Sequence, residues 1–180
     1  LDLKDPKVYK LLAAGKTGGI FQLESPGMTK VLTSMKVDSF EDIVASTSLF
    51  RPGPVKMIPK YVESKEGKIE IEYYDESLKG ILEKTYGVIV YQEQIIEIVQ
   101  TFAGFTLAKA DILRRAIGKK DINEINRLKE EFYAGAKELG RDEKTTKNIY
   151  DLIYEFSEYG FNRSHAFAYS VISYQLAYLK

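Results

Sequence analysis

Signals that begin and end helices recur along the whole 180-residue chain and divide it into short helical segments. A side chain that can cap a helix, or a proline suited to the first helical position, precedes most segments of periodic apolar residues. The predicted helix starts are Asp5-Pro6, Pro26, Ser39 with Asp42, Asp75, Thr106, Asp121 with Glu124, Asp142 and Ser164. The predicted helix ends are Gly15, Met35, Lys84, Gly104, Gly118, Leu139 and Tyr159 before Gly160. This spacing predicts seven or eight helices.

The best candidate for a β-strand is Tyr86–Tyr91 (YGVIVY), which is rich in β-branched and aromatic residues. Arg51–Pro54 must form a turn, because two prolines around a glycine cannot continue a helix. The predicted fold class is therefore mainly α. We expect a multi-helix single domain over residues 1–180, with one or two short β-strands.

Composition excludes several classes of protein. Hydrophobic residues make up 44% of the chain and charged residues 29%, and no apolar run approaches the roughly 20 residues of a membrane span. Cys is absent and His occurs once, which excludes disulfides, cysteine-ligated metals and sites that need two histidines. Lys plus Arg and Asp plus Glu both number 26, which argues against a nucleic-acid binder of the globally basic kind. We expect a cytoplasmic protein.

Positive charge is concentrated in the segment LRRAIGKK, where Arg114, Arg115, Lys119 and Lys120 place four cations within seven residues. Gly118 is expected to end the helix and to release the two lysines into a loop. Two interpretations stay open. The cations can complement the negative end of the helix dipole, or they can form a clamp for a phosphate group, whose oxygens guanidinium groups bind in pairs.

Helical periodicity distinguishes the two arginines. The predicted apolar stripe consists of Leu107, Ala110, Leu113 and Ile117. Arg115 lies well off this stripe, one turn after Asp111, with which it can form an exposed ion pair. Arg114 lies beside the stripe, so its guanidinium group must reach past packed neighbours toward a partner.

A second candidate site lies in the segment FNRSHAFAY, where Ser164 is the predicted cap of the last helix. The start of a helix offers backbone N–H groups and a partial positive charge, which together attract anions. His165, the single histidine, would lie in the first turn, and Tyr169 one turn further along the same face. An aromatic ring beside an anion site suits a nucleobase, but tyrosine and a lone histidine are also common structural residues.

Catalytic features are not evident. Nucleotidyl transfer by two metal ions needs carboxylates that converge on cations about 3.5–4 Å apart, and no Asp-x-Asp pair occurs on a predicted strand. A Walker A glycine loop and a Ser-x-x-Lys motif are also missing. The sequence thus has phosphate-binding features without a recognisable catalytic site.

Six segments carry a resemblance to one family, the alpha subunit of bacterial DNA polymerase III, in the branch that contains RPGP. The segments are GGIFQLES (18–25), FEDIVA (40–45), LFRPGP (49–54), TYGVIVYQEQ (85–94), AD-x-LRRA-x-GKK (110–120) and YGFNRSHAFAYSVISYQLAYLK (159–180). They cover nearly the whole chain and resemble the fingers domain, which follows the palm in these polymerases. The resemblance implies a DNA-directed DNA polymerase, and therefore a nucleotidyltransferase that acts in DNA replication.

The resemblance also implies roles for individual residues. The implied contacts with the incoming deoxynucleoside triphosphate (dNTP) are Arg114, Arg115, Lys119, Lys120, Asn162, Ser164 and His165. Further candidate contacts with nucleotide or DNA are Arg51, Arg163 and Tyr169. His165 would exclude a ribose 2′-hydroxyl group. Arg163 stands where many family members have lysine, which keeps the charge but changes the geometry of any contact.

Three hypotheses remain at this point. The chain is the fingers portion of a polymerase, a stand-alone helical module that binds nucleotide or nucleic acid without catalysis, or a helical scaffold for protein partners. The first implies a fragment that binds no metal or other cofactor and is inactive alone, because the catalytic aspartates and Mg²⁺ belong to an absent palm. Its implied partners are primer-template DNA, the incoming dNTP and the other domains of the same polymerase chain. A membrane is not among them.

Overall fold

A computed structural model describes residues 2–180 and shows a mainly α-helical fold, as the sequence predicted. Within that range there are ten α-helices and three short 3₁₀ helices, and no β-strand. None of the helices combines the length and the apolar character needed to cross a membrane. The α-helices are α1 (Pro6–Ala13), α2 (Pro26–Met35), α3 (Phe40–Leu49), α4 (Ile58–Lys65), α5 (Lys79–Leu82), α6 (Gln92–Ala103), α7 (Leu107–Lys119), α8 (Ile122–Glu138), α9 (Glu143–Phe156) and α10 (Arg163–Leu179).

The helices form two compact units. The first unit comprises residues 2–70 together with Asn162–Lys180, and the second comprises Ile71–Phe161. The first therefore contains α1 to α4 and α10, and the second contains α5 to α9. The assignment of residues 1–180 to one fingers domain stays a prediction.

Most predicted helix starts are confirmed, because the predicted side chain accepts a backbone hydrogen bond at each of them. The caps confirmed in this way are Asp5, Ser39, Asp75, Thr106, Asp121 and Asp142. The capping box predicted at Asp121 is only half formed, because the Glu124 carboxylate binds Arg127 instead of the Asp121 backbone. Helix α4 was not predicted: Met57, which precedes it, offers no capping side chain.

The predicted strand at Tyr86–Tyr91 is not present as a strand. Val88, Ile89 and Val90 are buried, but the backbone pairing is limited to a single bridge between Tyr91 and Phe161. Inside the second unit, Gln94 takes the place of a partner strand. Its side-chain oxygen accepts the N–H groups of Val90 and Tyr91 at 2.9 and 3.0 Å. A buried amide can satisfy backbone groups that would otherwise need a sheet.

Two helix limits and one predicted core position differ from the prediction. Helix α7 continues through Gly118 to Lys119, and Lys120 follows in the left-handed conformation with φ of 58°. Helix α9 ends at Phe156, three residues before the predicted end at Tyr159. Leu107 does not share the buried stripe of α7, because it is the first helical residue and is exposed.

In the first unit, α10 packs against α3 and α1. The buried residues of α10 are Ala166, Ser170, Ser173, Tyr174 and Ala177, most of them small enough for a close approach of two helices. The hydroxyl groups of Thr47 and Ser170 lie 3.4 Å apart across the contact between α3 and α10.

A buried ionic network joins α2, α3 and α4 in the same unit. Lys65 donates to the carboxylate of Asp42 at 2.6 Å and to the carbonyl of Met35 at 3.2 Å. The hydroxyl group of Tyr61 donates to the other oxygen of Asp42 at 3.0 Å. Burial lowers the pKa of Lys65, but hydrogen bonds and charges from Asp42 and Asp38 outweigh it and raise the pKa above its ordinary value. The amine therefore stays charged inside the unit, where its partners satisfy it.

The second unit is organised around aromatic rings on α6 and α8. The centroids of Phe102 and Phe132 lie 5.9 Å apart, and Tyr150 of α9 lies 5.5 Å from Phe132. Gly135 of α8 permits this packing, since a Cβ atom there would lie 2.1 Å from the carbonyl oxygen of Ala103. That oxygen is a backbone atom and cannot rotate away.

Gly135→Ala should destabilise the second unit by about 1–3 kcal/mol, because the clash outweighs the roughly 1 kcal/mol that alanine normally gains in a helix. Gly118→Ala is the matched control: a Cβ atom there meets nothing within 4 Å. It should leave the free energy of unfolding unchanged or raise it by up to about 1 kcal/mol. Urea denaturation of the two variants checks this, and equal effects would contradict the proposed clash.

Candidate functional site

The two arginines of α7 share one carboxylate. Arg114 donates from Nε and Nη2 to Oδ1 of Asp111 at 3.2 and 2.9 Å. Nη2 of Arg115 lies 2.5 Å from Oδ2 of the same carboxylate. The predicted pair of Arg115 and Asp111 is therefore confirmed, and Arg114, whose partner the sequence left open, binds Asp111 as well.

The exposure of the two arginine side chains follows the helical periodicity. The side chain of Arg114 is 18% exposed and that of Arg115 is 64% exposed. Burial raises the pKa of Asp111, but hydrogen bonds and charges from the two arginines outweigh it and hold this pKa below its ordinary value. Asp111 is thus an anionic partner that keeps both guanidinium groups on one side of α7.

The two lysines lie where α7 ends. Lys119 is its last residue and is exposed, and Lys120 follows as the left-handed cap. The amine of Lys120 lies 3.3 Å from the carboxylate of Glu158. Cations at the end of a helix also interact favourably with its negative dipole end. The four predicted cations therefore lie within the last two turns of α7 and its cap.

Helix α10 begins two residues earlier than the sequence predicted. Asn162, not Ser164, is the cap: its side-chain oxygen accepts the backbone N–H of His165 at 2.8 Å. Asparagine is as good a cap as serine, so the residue preference alone did not decide between them. Ser164 and His165 are instead exposed residues of the first turn, where the positive end of the helix dipole favours an anion.

Arg163 is held within the first unit. Its guanidinium group forms an ion pair with Glu41 of α3 and lies 5.6 Å from the centre of the Phe167 ring. This pair links the beginnings of two packed helices. Sequence analysis missed Glu41, because it lies 122 positions away from its partner.

Three rings form a row beside the start of α10. The centroids of His165 and Tyr169 are 4.3 Å apart, in an edge-to-face arrangement with an interplanar angle of 77°. The centroid of Phe21 lies 5.7 Å from that of Tyr169. Phe21 was missed as a site residue, although it stands in the segment GGIFQLES, which carries part of the family resemblance.

Arg51 lies in the predicted turn before α4. Its Nε donates to the carbonyl of Ser48 at 3.1 Å, and burial lowers the pKa of its guanidinium group. Gly53 has φ of 98°, a conformation that favours glycine, which explains the glycine between the two prolines. The turn therefore has a defined conformation that holds Arg51 against the end of α3.

The structure divides the predicted site residues into two groups. Arg114, Arg115, Lys119 and Lys120 form the α7 cation cluster of the second unit. The α10 cluster of the first unit consists of Asn162, Arg163, Ser164, His165 and Tyr169, and Arg51 belongs to that unit as well. Among residues 2–180, no group of three or more histidine, aspartate or glutamate side chains lies together as a protein metal site of that size would require.

Comparison with known proteins points to one family. The sequence profile of the bacterial DNA polymerase III alpha subunit finger domain matches residues 1–140. DNA polymerase III subunit alpha of Halalkalibacterium halodurans is 54% identical over 180 residues, which are 100% of this chain and 16% of that protein. The subunit of the same name from Borreliella burgdorferi is 49% identical over 176 residues, 98% of this chain and 15% of its own length. The subunit of the same name from Streptococcus pyogenes is 48% identical over 180 residues, which are 100% of this chain and 17% of that protein. The chain thus spans about one sixth of these relatives.

Asn162→Ala should lower the free energy of unfolding by about 1 kcal/mol, because the cap of α10 is lost. Ser164→Ala is the matched control, since it removes a hydroxyl group that the structure does not use as the cap, and it should change this free energy by less than about 0.5 kcal/mol. Chemical denaturation of both variants distinguishes the two assignments. A larger loss for Ser164→Ala would restore serine as the cap.

Proposed function

Because this chain belongs to the finger domains of bacterial DNA polymerase III alpha subunits, we propose that it binds the incoming dNTP and positions the template base during template-dependent DNA synthesis. The observation that carries this proposal is the pair of guanidinium groups that Asp111 holds together on α7. A triphosphate presents several anionic oxygens, and two neighbouring guanidinium groups can bind them through paired hydrogen bonds.

The energies of the two kinds of contact support this role. Ion pairs at i,i+3 or i,i+4 spacing on a helix stabilise by about 0.2–0.5 kcal/mol each. A hydrogen bond to a charged group contributes about 1.5–3 kcal/mol. A triphosphate can therefore replace Asp111 as the partner of Arg114 and Arg115, with Lys119 and Lys120 adding to the positive field.

The start of α10 supports contacts with the sugar side of the nucleotide. Ser164 and His165 are exposed in the first turn, and Asn162 fixes the backbone there. An imidazole ring at this place can exclude a 2′-hydroxyl group by direct collision while it leaves a deoxyribose undisturbed. We propose this role for His165, and a contact with the nucleotide or DNA for Tyr169, Arg51 and Arg163.

The remaining parts of the proposal concern the whole polymerase. Primer-template DNA, the incoming dNTP and the other domains of the same chain would be the partners, and the location would be the cytoplasm. The catalytic aspartates and their Mg²⁺ ions would belong to a palm domain outside this segment. The 180-residue chain alone would then show no DNA synthesis.

Arg114→Ala in the full-length polymerase should raise KM for all four dNTPs to a similar extent, because a phosphate contact carries no information about the base. The loss of one charge-assisted contact corresponds to about 1.5–3 kcal/mol, or roughly 10- to 200-fold. Arg115→Ala should have a smaller effect, because this side chain is exposed and its i,i+4 pair with Asp111 is weak. Steady-state incorporation of each single nucleotide provides the measurement.

Arg127→Ala is the control for this experiment. Arg127 of α8 lies outside the proposed site, is exposed, and pairs with Glu124 and Glu131. Its substitution therefore removes ion pairs similar to the one that Arg115 forms. KM should stay at the parent value. A defect in Arg114→Ala that depends on the base, or a severe loss in Arg115→Ala with a silent Arg114→Ala, would contradict the proposed clamp.

His165→Ala in the full-length polymerase should increase the use of ribonucleotides more than it slows the use of dNTPs. Removal of a steric barrier helps only the substrate that the barrier excludes. The measurement is kcat/KM for a matched pair of ribo- and deoxyribonucleoside triphosphates. Gln175→Ala, on an exposed position further along α10, should leave the ratio of the two values unchanged. If both substrates are affected in proportion and the melting temperature falls, His165 is a structural residue.

A further inference from the structure

Two main-chain carbonyls of the loop between α1 and α2 accept hydrogen bonds from side chains of α10 and its C-terminal cap. The hydroxyl group of Ser173 donates to the carbonyl of Phe21 at 2.8 Å, and the amine of Lys180 donates to the carbonyl of Gly18 at 2.5 Å. Ile20 and Leu23, on either side of Phe21, are almost completely buried. The loop therefore has a fixed position on α10, although it contains no regular secondary structure.

Contacts within the loop reinforce this position. The N–H of Gly19 donates to the carboxylate of Glu24 at 3.2 Å. Gln22 adopts φ of 62°, which a non-glycine residue takes up only when its surroundings require it. The backbone on both sides of Phe21 is thus held, and the Phe21 ring projects from a fixed base.

Phe21 remains 40% exposed although Ile20 and Leu23 are buried. It contacts Tyr169 with an interplanar angle of 44°, and Tyr169 in turn meets the edge of His165. Contact with a ring that is itself held in place limits the rotamers that a neighbouring side chain can adopt. A row of three rings whose far end is anchored by a fixed backbone therefore restricts the orientation of the imidazole ring.

We propose that Phe21 is a positioning residue for sugar discrimination: it holds Tyr169, and through Tyr169 it holds His165 in the orientation that excludes a ribose 2′-hydroxyl group. This inference rests on the role proposed for His165. It adds a residue from the loop between α1 and α2. None of the proposed dNTP contacts lies in that loop. The effect of Phe21 is predicted to pass through His165 and not to act on the nucleotide directly.

The test measures kcat/KM for matched ribo- and deoxyribonucleoside triphosphates with the full-length polymerase. Phe21→Leu keeps apolar volume but removes the ring, and it should increase the relative use of ribonucleotides by about 2- to 10-fold, as expected for the loss of one aromatic pair. Phe21→Tyr restores the ring and should return the ratio to the parent value. Should the leucine variant fold poorly, Phe21→Met provides a flexible apolar replacement with the same expected result.

Phe167→Leu is the matched control. Phe167 is a phenylalanine of α10 with 37% exposure, and its ring packs 4.9 Å from that of Phe40. Phe167→Leu removes a half-exposed ring from the same unit, but this ring is not part of the row that reaches His165. The ratio of ribo- to deoxyribonucleotide use should stay at the parent value, even if the melting temperature falls as it does in Phe21→Leu.

A double variant decides whether Phe21 acts through His165. In a His165→Ala background, Phe21→Leu should cause no further change in the ratio, because the residue that it positions is gone. Independent effects that multiply would overturn the inference, as would an unchanged ratio in Phe21→Leu while His165→Ala relaxes discrimination. In that last case the proposed function stands. If His165→Ala itself leaves the ratio unchanged, the role of His165 fails, and the inference about Phe21 fails with it.

Discussion

The hydrogen bond from the His165 backbone to the Asn162 side chain marks where α10 begins, and α10 is the helix that packs against both α3 and α1 in the first unit. With the start of the helix fixed, the 3.6-residue period determines which side chains face inward. Ser170 then faces Thr47 of α3, and the Tyr174 hydroxyl group accepts the backbone N–H of Asp5, just before α1, at 2.9 Å. The same rotation leaves the imidazole ring on the exposed side. Helix α10 thus combines a packed side with an exposed first turn that begins at this cap.

The ion pairs of the α7 cation cluster show how a chain of zero net charge can concentrate cations on one helix. Charge neutrality results from 26 basic and 26 acidic residues, but Asp111 and Glu158 lie in the same unit as the cations they balance. These ion pairs contribute little free energy in water, because the groups are partly exposed and the solvent screens their charges. They hold the guanidinium groups in place without binding them tightly. A net charge of zero therefore excludes only a uniformly basic surface, not a local site for a triphosphate.

Local signals were sufficient for most helices but not for features that depend on distant residues. Asp5, Ser39 and Thr106 cap their helices as predicted, because a cap and its hydrogen-bond donor lie within three residues of each other. The segment Tyr86–Tyr91 has the composition of a strand, but whether a strand forms depends on a partner, and among residues 2–180 only Phe161 pairs with it. Glu41 could not be assigned to Arg163 for the same reason. At the start of α10 the sequence predicted Ser164 as the cap, but the Asn162 side chain accepts the hydrogen bond, because residue preference does not separate asparagine from serine.

The two clusters differ in the kind of interaction that each can make, and this difference follows from their local chemistry. The α7 cation cluster consists of long, charged side chains around one carboxylate, so its interactions depend on charge and tolerate small changes of position. The row of His165, Tyr169 and Phe21 depends on contacts between rings, which weaken steeply when a ring moves by an ångström. In the proposed function, strength of binding and discrimination between sugars therefore belong to different residues. A substitution such as Arg114→Ala should weaken binding without changing sugar selectivity, and one such as Phe21→Leu should change selectivity while binding of the triphosphate remains.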